Sequence, residues 1–289
     1  MSLFLDDTGR TLRSGWVVAI FSVVAAGTFG ICNAVIGLLR LYPRIPLSLD
    51  DGYLFFNSTA MVIAAGVPSL ICALVLRADL GAPLRRLARD LPLGVFIGAG
   101  LVSCAVLIPV AAGQGTLNRF DEAGARVLQS GLQQLFTLGP TAVGEELMLR
   151  GVILRQLAAG TRPWIAVALT GVTFGLMHLL NPDASAIAAV NVALVGVAFG
   201  VLALRTSLWA SIGAHVAWNW LEGFFYGQPV SGIRSGHALF LGAVHDRGFF
   251  FGGEFGPEAS GLTTVVLVLA TLVAALWPRR PLVTPAPAP

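Results

Sequence analysis

Apolar runs of about twenty residues, joined by short polar connections, leave this chain few ways to fold. In hydrocarbon every backbone N–H and C=O must be satisfied within the protein, so only helices or closed barrels remain, and the runs read as helices. They cover residues 15–39, 54–76, 92–112, 127–159, 164–180, 184–204, 208–226 and 260–277. Composition agrees: hydrophobic residues make up 56%, charged residues 11%, and mean hydropathy is +0.80, against about 25% charged in soluble domains. The expectation is an all-α, polytopic transmembrane bundle of about eight spans, folded as a single integral domain over residues 1–289. The first run follows Arg10 and Arg13 as a signal peptide would, but it exceeds an h-region of ~7–15 residues and lacks a convincing cleavage site, so it reads as the first span.

Charge placement orients the bundle. A cytoplasmic N-terminus puts Arg10, Arg13, Arg77, Arg85, Arg86, Arg89, Arg155, Arg162, Arg205, Arg279 and Arg280 inside, and Arg40, Arg44, Arg119, Arg126, Arg234 and Arg247 outside. Under the positive-inside rule both termini are cytoplasmic, in a multi-pass protein of the inner (cytoplasmic) membrane. The net charge of +3 is scattered and forms no basic patch interleaved with aromatics, which excludes nucleic acid as a partner. All eighteen basic residues are Arg, a usage that points to a GC-rich bacterial genome. Cys32, Cys72 and Cys104 lie in three different spans without metal-site spacing and read as packing residues. The long connection 227–259 holds His237 and His245, for which no metal or gating role is expected; the Pro/Ala tail 278–289 reads as extended and disordered.

Ionisable and amide groups at membrane depth are expensive, so each needs a reason. The fourth span carries Glu145, Glu146 and Arg150; the fifth His178; the sixth Asn191; the seventh His215, Asn219 and Glu222. Residues four apart share a helix face, so Glu146 pairs with Arg150 while Glu145, about 100° away, faces elsewhere. A carboxylate without a cationic partner suits general-base work. His215 and Asn219 share a face and offer two donors, as an oxyanion hole requires. His178 supplies a second imidazole, walled by Phe174 one turn earlier. Pro140 is expected to kink the helix that bears the glutamates. Glu222 is placed at the interface and Asn191 as a bridge between helices. Depth counting puts Glu145 near mid-span and His215 seven residues from the cytoplasmic side, which leans toward a cytoplasmic opening. No H-E-x-x-H, G-x-G-D or G-x-S-x-G motif is present. What remains is glutamate-activated water, with a His₂Glu zinc set, a structural ion-pair cluster and a proton-relaying transporter as the other readings.

Three motifs, Glu145-Glu146-Leu-Met-Leu-Arg150, Phe174-Gly-Leu-Met-His178 and His215-Val-Ala-Trp-Asn219, resemble the E-E-x-x-x-R, F-x-x-x-H and H-x-x-x-N signatures of the CPBP family. These are the CAAX-protease and bacteriocin-processing intramembrane proteases related to the Rce1-type prenyl protease. The resemblance covers about residues 127–226, and the segment 252–258 resembles a loop of bacterial members. It implies a metal-independent glutamate endopeptidase without a cofactor: Glu145 activates water, His178 positions it, His215 and Asn219 stabilise the oxyanion, and Glu146, Arg150 and Phe174 support them. Eukaryotic relatives trim prenylated CAAX tails, whereas bacterial relatives process peptides or confer bacteriocin immunity. The expected partners are therefore the lipid bilayer and a membrane-associated or lipidated peptide or protein substrate. A non-catalytic peptide-binding or immunity protein and a proton-coupled transporter stand as alternatives.

Overall fold

The computed structural model describes residues 14–38, 49–119, 124–234, 238–245, 248–250 and 252–276. Expectations for Arg10, Arg13, Arg40, Arg44, His237, Arg247, Arg279, Arg280 and the 278–289 tail lie outside these residues. The chain is an all-α bundle. Its helices are α1 (Ser14–Leu38), α2 (Leu49–Leu74), α3 (Leu87–Ala111), α4 (Gly124–Glu146), α5 (Leu154–Gly160), α6 (Pro163–Met177), α7 (Ala186–Arg205), α8 (Leu208–Trp220) and α9 (Gly261–Leu276). A π-helical stretch, Leu147–Ile153, joins α4 to α5 without a break. Five helical segments are long and apolar enough to cross a membrane: Gly15–Leu38, Phe55–Leu74, Leu84–Ala111, Pro163–Leu180 and Ala186–Arg205. Their outward faces carry large apolar side chains, such as Leu38, Phe96 and Leu180, that suit lipid. The chain is a multi-pass membrane protein.

Helix α4 runs through Pro140 to Glu146, and its departure from α geometry falls seven residues later, in the π stretch. Such insertions re-aim side chains and gather at functional sites. A second π stretch, Leu221–Phe225, ends α8 and carries Glu222.

The connections also hold a two-stranded antiparallel sheet that an all-helical reading does not anticipate. Strand β1 (Gly115–Arg119) pairs with β2 (Phe240–Val244) in the register Gly115↔Val244 to Arg119↔Phe240. It links the α3–α4 connection to the α8–α9 connection across more than a hundred residues of sequence, a pairing that local periodicity does not encode.

Helix α8 sits in the bundle centre because small residues let its neighbours approach closely. On α3, Gly94 and Gly98 rest on the carbonyl oxygens of Ala210 and Ala214, while Gly213 of α8 rests on that of Leu91. This is small-residue packing of membrane helices, where backbone contact replaces a hydrophobic driving force. A Cβ at Gly98 would collide with backbone that cannot rotate away. Gly100 has open space around it. In detergent, Gly98→Ala is expected to lower unfolding stability by about 1–3 kcal/mol or more, while Gly100→Ala leaves it level or raises it by up to about 1 kcal/mol through helix propensity. Equal thermal shifts in the two variants would contradict the packing described. The largest core cluster, including Leu149, Phe174, Phe199 and Trp218, gathers where α6, α7 and α8 meet the π stretch.

Candidate active site

The two adjacent glutamates at the end of α4 have different surroundings. Glu146 is fully buried. Its Oε1 accepts from Arg150 Nη1 at 2.7 Å and lies 3.0 Å from Nδ1 of His215. Its Oε2 accepts the hydroxyl of Ser211. Arg150, equally buried, donates from Nη2 to the carbonyl of Gly196 at 3.2 Å and lies with its guanidinium carbon 4.6 Å above the Phe174 ring. One carboxylate and one guanidinium thereby tie α4, α6, α7 and α8 together. Their mutual attraction, the added hydrogen bonds and the ring face offset the cost of taking two charges out of water.

Glu145 faces the other way, with its side chain 12% exposed and Oε2 3.6 Å from Nε2 of His215. That separation is longer than a hydrogen bond. Among the described residues Glu145 has no hydrogen-bond partner, so its oxygens are available to a substrate or water.

His215 stands between the two carboxylates, Nδ1 toward Glu146 and Nε2 toward Glu145. Phe174 and Phe199 flank its ring at centroid distances of 5.8 and 5.5 Å. Because Glu146 is an acceptor already held by Arg150, Nδ1 carries a proton, and the imidazole is fixed in orientation. His178 follows the last residue of α6, where its Nδ1 donates to the carbonyl of Phe174 at 2.9 Å. That bond leaves Nε2 as the free position of the ring. The Phe174 ring lies 4.5 Å from the His178 ring and so separates the two imidazoles while touching both. Asn219 is one turn beyond His215 on α8, 7% exposed. Among the described residues its amide makes no hydrogen bond.

The structure thus gathers Glu145, Glu146, Arg150, Phe174, His178 and His215 into one contact network, with Asn219 beside it on α8. Ser211 is a member the sequence did not single out. It precedes His215 by four residues on the same face, and that spacing was the available signal. Among the described residues, no three of His, Cys, Asp and Glu converge into a group suited to a metal.

Glu222 corrects an expectation. It does not reach the interface: it is fully buried, and its Oε2 accepts from Trp218 Nε1 at 2.9 Å. The same indole N–H also lies 3.1 Å from Oε1 of Glu258, whose Oε2 accepts from the Ser231 hydroxyl at 2.5 Å. Lying seven residues after His215 keeps Glu222 near the site face of α8, and the π stretch turns it inward. Glu258, brought in from the far connection, had no sequence signal linking it to position 218. Asn191 does bridge elements, as expected, donating to the carbonyls of Glu258 and Ser260 at 2.7 and 2.9 Å. These bonds strap the segment before α9 onto the site helices. Trp218→Phe removes the only N–H that both carboxylates share, and unfolding stability is expected to fall by about 1–3 kcal/mol. An unchanged melting temperature would show that the strap does not depend on the indole.

A buried carboxylate pair split between an ion pair and an open position, with two oriented imidazoles, is an arrangement suited to activating water. Residues 129–221 match the family model for the type II CAAX prenyl endopeptidase, Rce1-like. This segment holds all seven residues of the three motifs, so the central helices of the chain are similar to those of a CAAX-type protease family. Comparison with curated proteins and with solved structures found no match.

Proposed function

We propose that the protein is a metal-independent intramembrane endopeptidase that hydrolyses a peptide bond of a membrane-associated or lipidated substrate with water activated by Glu145. One observation carries this reading: Glu146 is saturated by Arg150, Ser211 and His215, while Glu145 keeps its oxygens open beside His215. A purely structural ion-pair cluster would have no use for the second carboxylate.

The chemistry derives from the orientations. Glu145 removes a proton from water as the water oxygen attacks the scissile carbonyl carbon. His178, its Nδ1–H held by Phe174, accepts the other water hydrogen at Nε2 and so aims the attacking lone pair. The carbonyl oxygen gains charge as the tetrahedral intermediate forms. Held at Nδ1 by Glu146, His215 donates from a protonated Nε2 to this oxyanion, and Asn219 donates from its amide. The proton held by Glu145 then passes to the departing nitrogen, the C–N bond breaks, and a carboxylic acid and an amine form, the acid proton passing on to the amine as the products leave. Phe174 and Phe199 keep the ring of His215 in an apolar wall, where donors act more strongly than in water.

Comparative peptidomics of membranes carrying wild type or Glu145→Gln tests the reading. A membrane peptide that accumulates in the variant and appears cleaved in wild type supports it. Identical peptide sets, with a peptide retained by both proteins, would overturn it in favour of a binding or immunity protein.

A further inference from the structure

The side chains of the candidate site stand on helices that pack chiefly on other partners. Helix α6 lies mainly against α7, whereas α8, which carries His215 and Asn219, lies mainly against α3 and α4. The Glu146–Arg150 pair holds α6 at Phe174, through the guanidinium above that ring. His178 lies one turn further on, past the end of the helix, where this tie does not reach. Its ring meets α8 only through the edge of Phe174. Something else must fix the turn that carries it.

A tight turn from the α8–α9 connection does so. Val230 and Ile233 exchange both backbone hydrogen bonds at 2.9 Å, and between them Ser231 and Gly232 take φ of 48° and 84°. On the α6 side, the Ser231 carbonyl accepts from the Asn181 amide at 3.0 Å, and the Asn181 backbone N–H donates to the His178 carbonyl at 3.1 Å. Gly232 rests on the Pro182 carbonyl so closely that a Cβ would collide with it. On the α8 side, the Ser231 hydroxyl donates to Oε2 of Glu258 at 2.5 Å, and Oε1 of Glu258 accepts from the indole of Trp218 at 3.1 Å. Trp218 immediately precedes Asn219 on α8. Asn191 of α7 fixes the Glu258 backbone from behind, and the Gly232 N–H donates to the Phe255 carbonyl at 2.8 Å. A continuous run of hydrogen bonds therefore leads from His178 through Asn181, Ser231 and Glu258 to the face of α8 that carries Asn219. Glu222 shares the Trp218 donor but does not extend the run, because its Oε1 is buried without a hydrogen-bond partner among the described residues. Glycine adopts a positive φ at less cost than serine, so the turn itself does not call for a serine at 231. Its hydroxyl does.

We propose that Ser231 and Glu258 are positioning residues of the candidate active site: their hydrogen bonds register the His178 turn against the Trp218–Asn219 face of α8, and so set the separation between the imidazole that aims the water and the groups that stabilise the oxyanion. Neither residue touches the reacting atoms. The tasks of those groups rest on the endopeptidase reading; the link between the two turns does not.

Ser231→Gly, Glu258→Ala and Glu258→Gln test the link in the full chain in detergent, by amide hydrogen exchange and by kinetics on a peptide found in the membrane comparison above. Ser231→Gly suits the backbone of the turn and removes only the hydroxyl, so its melting temperature should stay at or above that of wild type. Its kcat is expected to fall by about 10- to 10²-fold, as a displacement of about 1 Å in a catalytic group does, with KM level because peptide binding is untouched. Exchange at residues 179–184 should quicken by about five- to ten-fold, the effect of one lost hydrogen bond, while the interior of α3 keeps its wild-type rates. Glu258→Ala should behave alike, and Glu258→Gln, which retains an oxygen for the Ser231 hydroxyl, should restore both kcat and exchange. A Ser231→Gly protein with wild-type kcat and wild-type exchange at 179–184 would overturn the proposal, whatever Glu258→Ala did to folding. Exchange requires no proteolysis, so the two readings fail separately. Faster exchange in the variants of a chain that cleaves no peptide would retire the endopeptidase and leave the link standing.

Discussion

Glu145→Gln is expected to slow cleavage of the substrate by about 10²–10⁴-fold, the usual contribution of a positioned general base. The substitution keeps the shape of the side chain and removes only its ability to take a proton. Glu145 has no hydrogen-bond partner among the described residues, so the variant should unfold at the wild-type temperature. Its effect is therefore expected in kcat with little change in KM, since water is activated after the peptide has bound. His215→Ala should cost a comparable about 10²–10³-fold, as the loss of an oxyanion donor does. A Glu145→Gln enzyme that retained wild-type turnover would remove the base from the mechanism, whatever the other variants did.

Arg150→Ala should have the largest effect on stability, about 3–5 kcal/mol, because it strands the fully buried Glu146 carboxylate without its cation. The loss spreads through contacts already described: Gly196 loses a donor and the Phe174 ring its cation. The converse experiment separates folding from function. Replacing both partners, Glu146→Leu with Arg150→Met, removes both charges and should recover much of the stability, as hydrophobic replacement of buried pairs does. Cleavage should not recover, because Nδ1 of His215 then has no acceptor to hold it. Thermal unfolding in detergent alongside the cleavage assay reads both. Recovery of activity in the double variant would show that Glu146 does nothing for His215.

Much of the architecture was legible from residue types alone. Apolar runs specify helices because lipid offers the backbone no hydrogen-bond partner, and the same cost makes each intramembrane charge conspicuous. That is why Glu145, Glu146, Arg150, His178, His215 and Asn219 stand out in the sequence without knowledge of any contact. The spacing of four between Glu146 and Arg150 correctly indicated an ion pair, because that contact lies within one stretch of helix. Pro140 lies inside a continuous α4, as membrane helices accept a proline where neighbours and local adjustments satisfy the freed backbone, and a π stretch that the sequence did not signal follows it at residues 147–153.

Residue chemistry and helical period thus sufficed for the class of fold, for the helices that carry the candidate site and for the different surroundings of the two glutamates. They did not supply the partners that make up those surroundings. Ser211 and His215 on Glu146, Glu258 on Trp218 and the sheet pairing residues 115–119 with 240–244 all join distant stretches of chain. Which faces meet depends on how closely α3 and α8 approach over Gly94, Gly98 and Gly213, and on how each π stretch rotates the helical residues beyond it. Those are properties of assembled helices, and a periodicity read along one helix carries no information about the rotation of its neighbour.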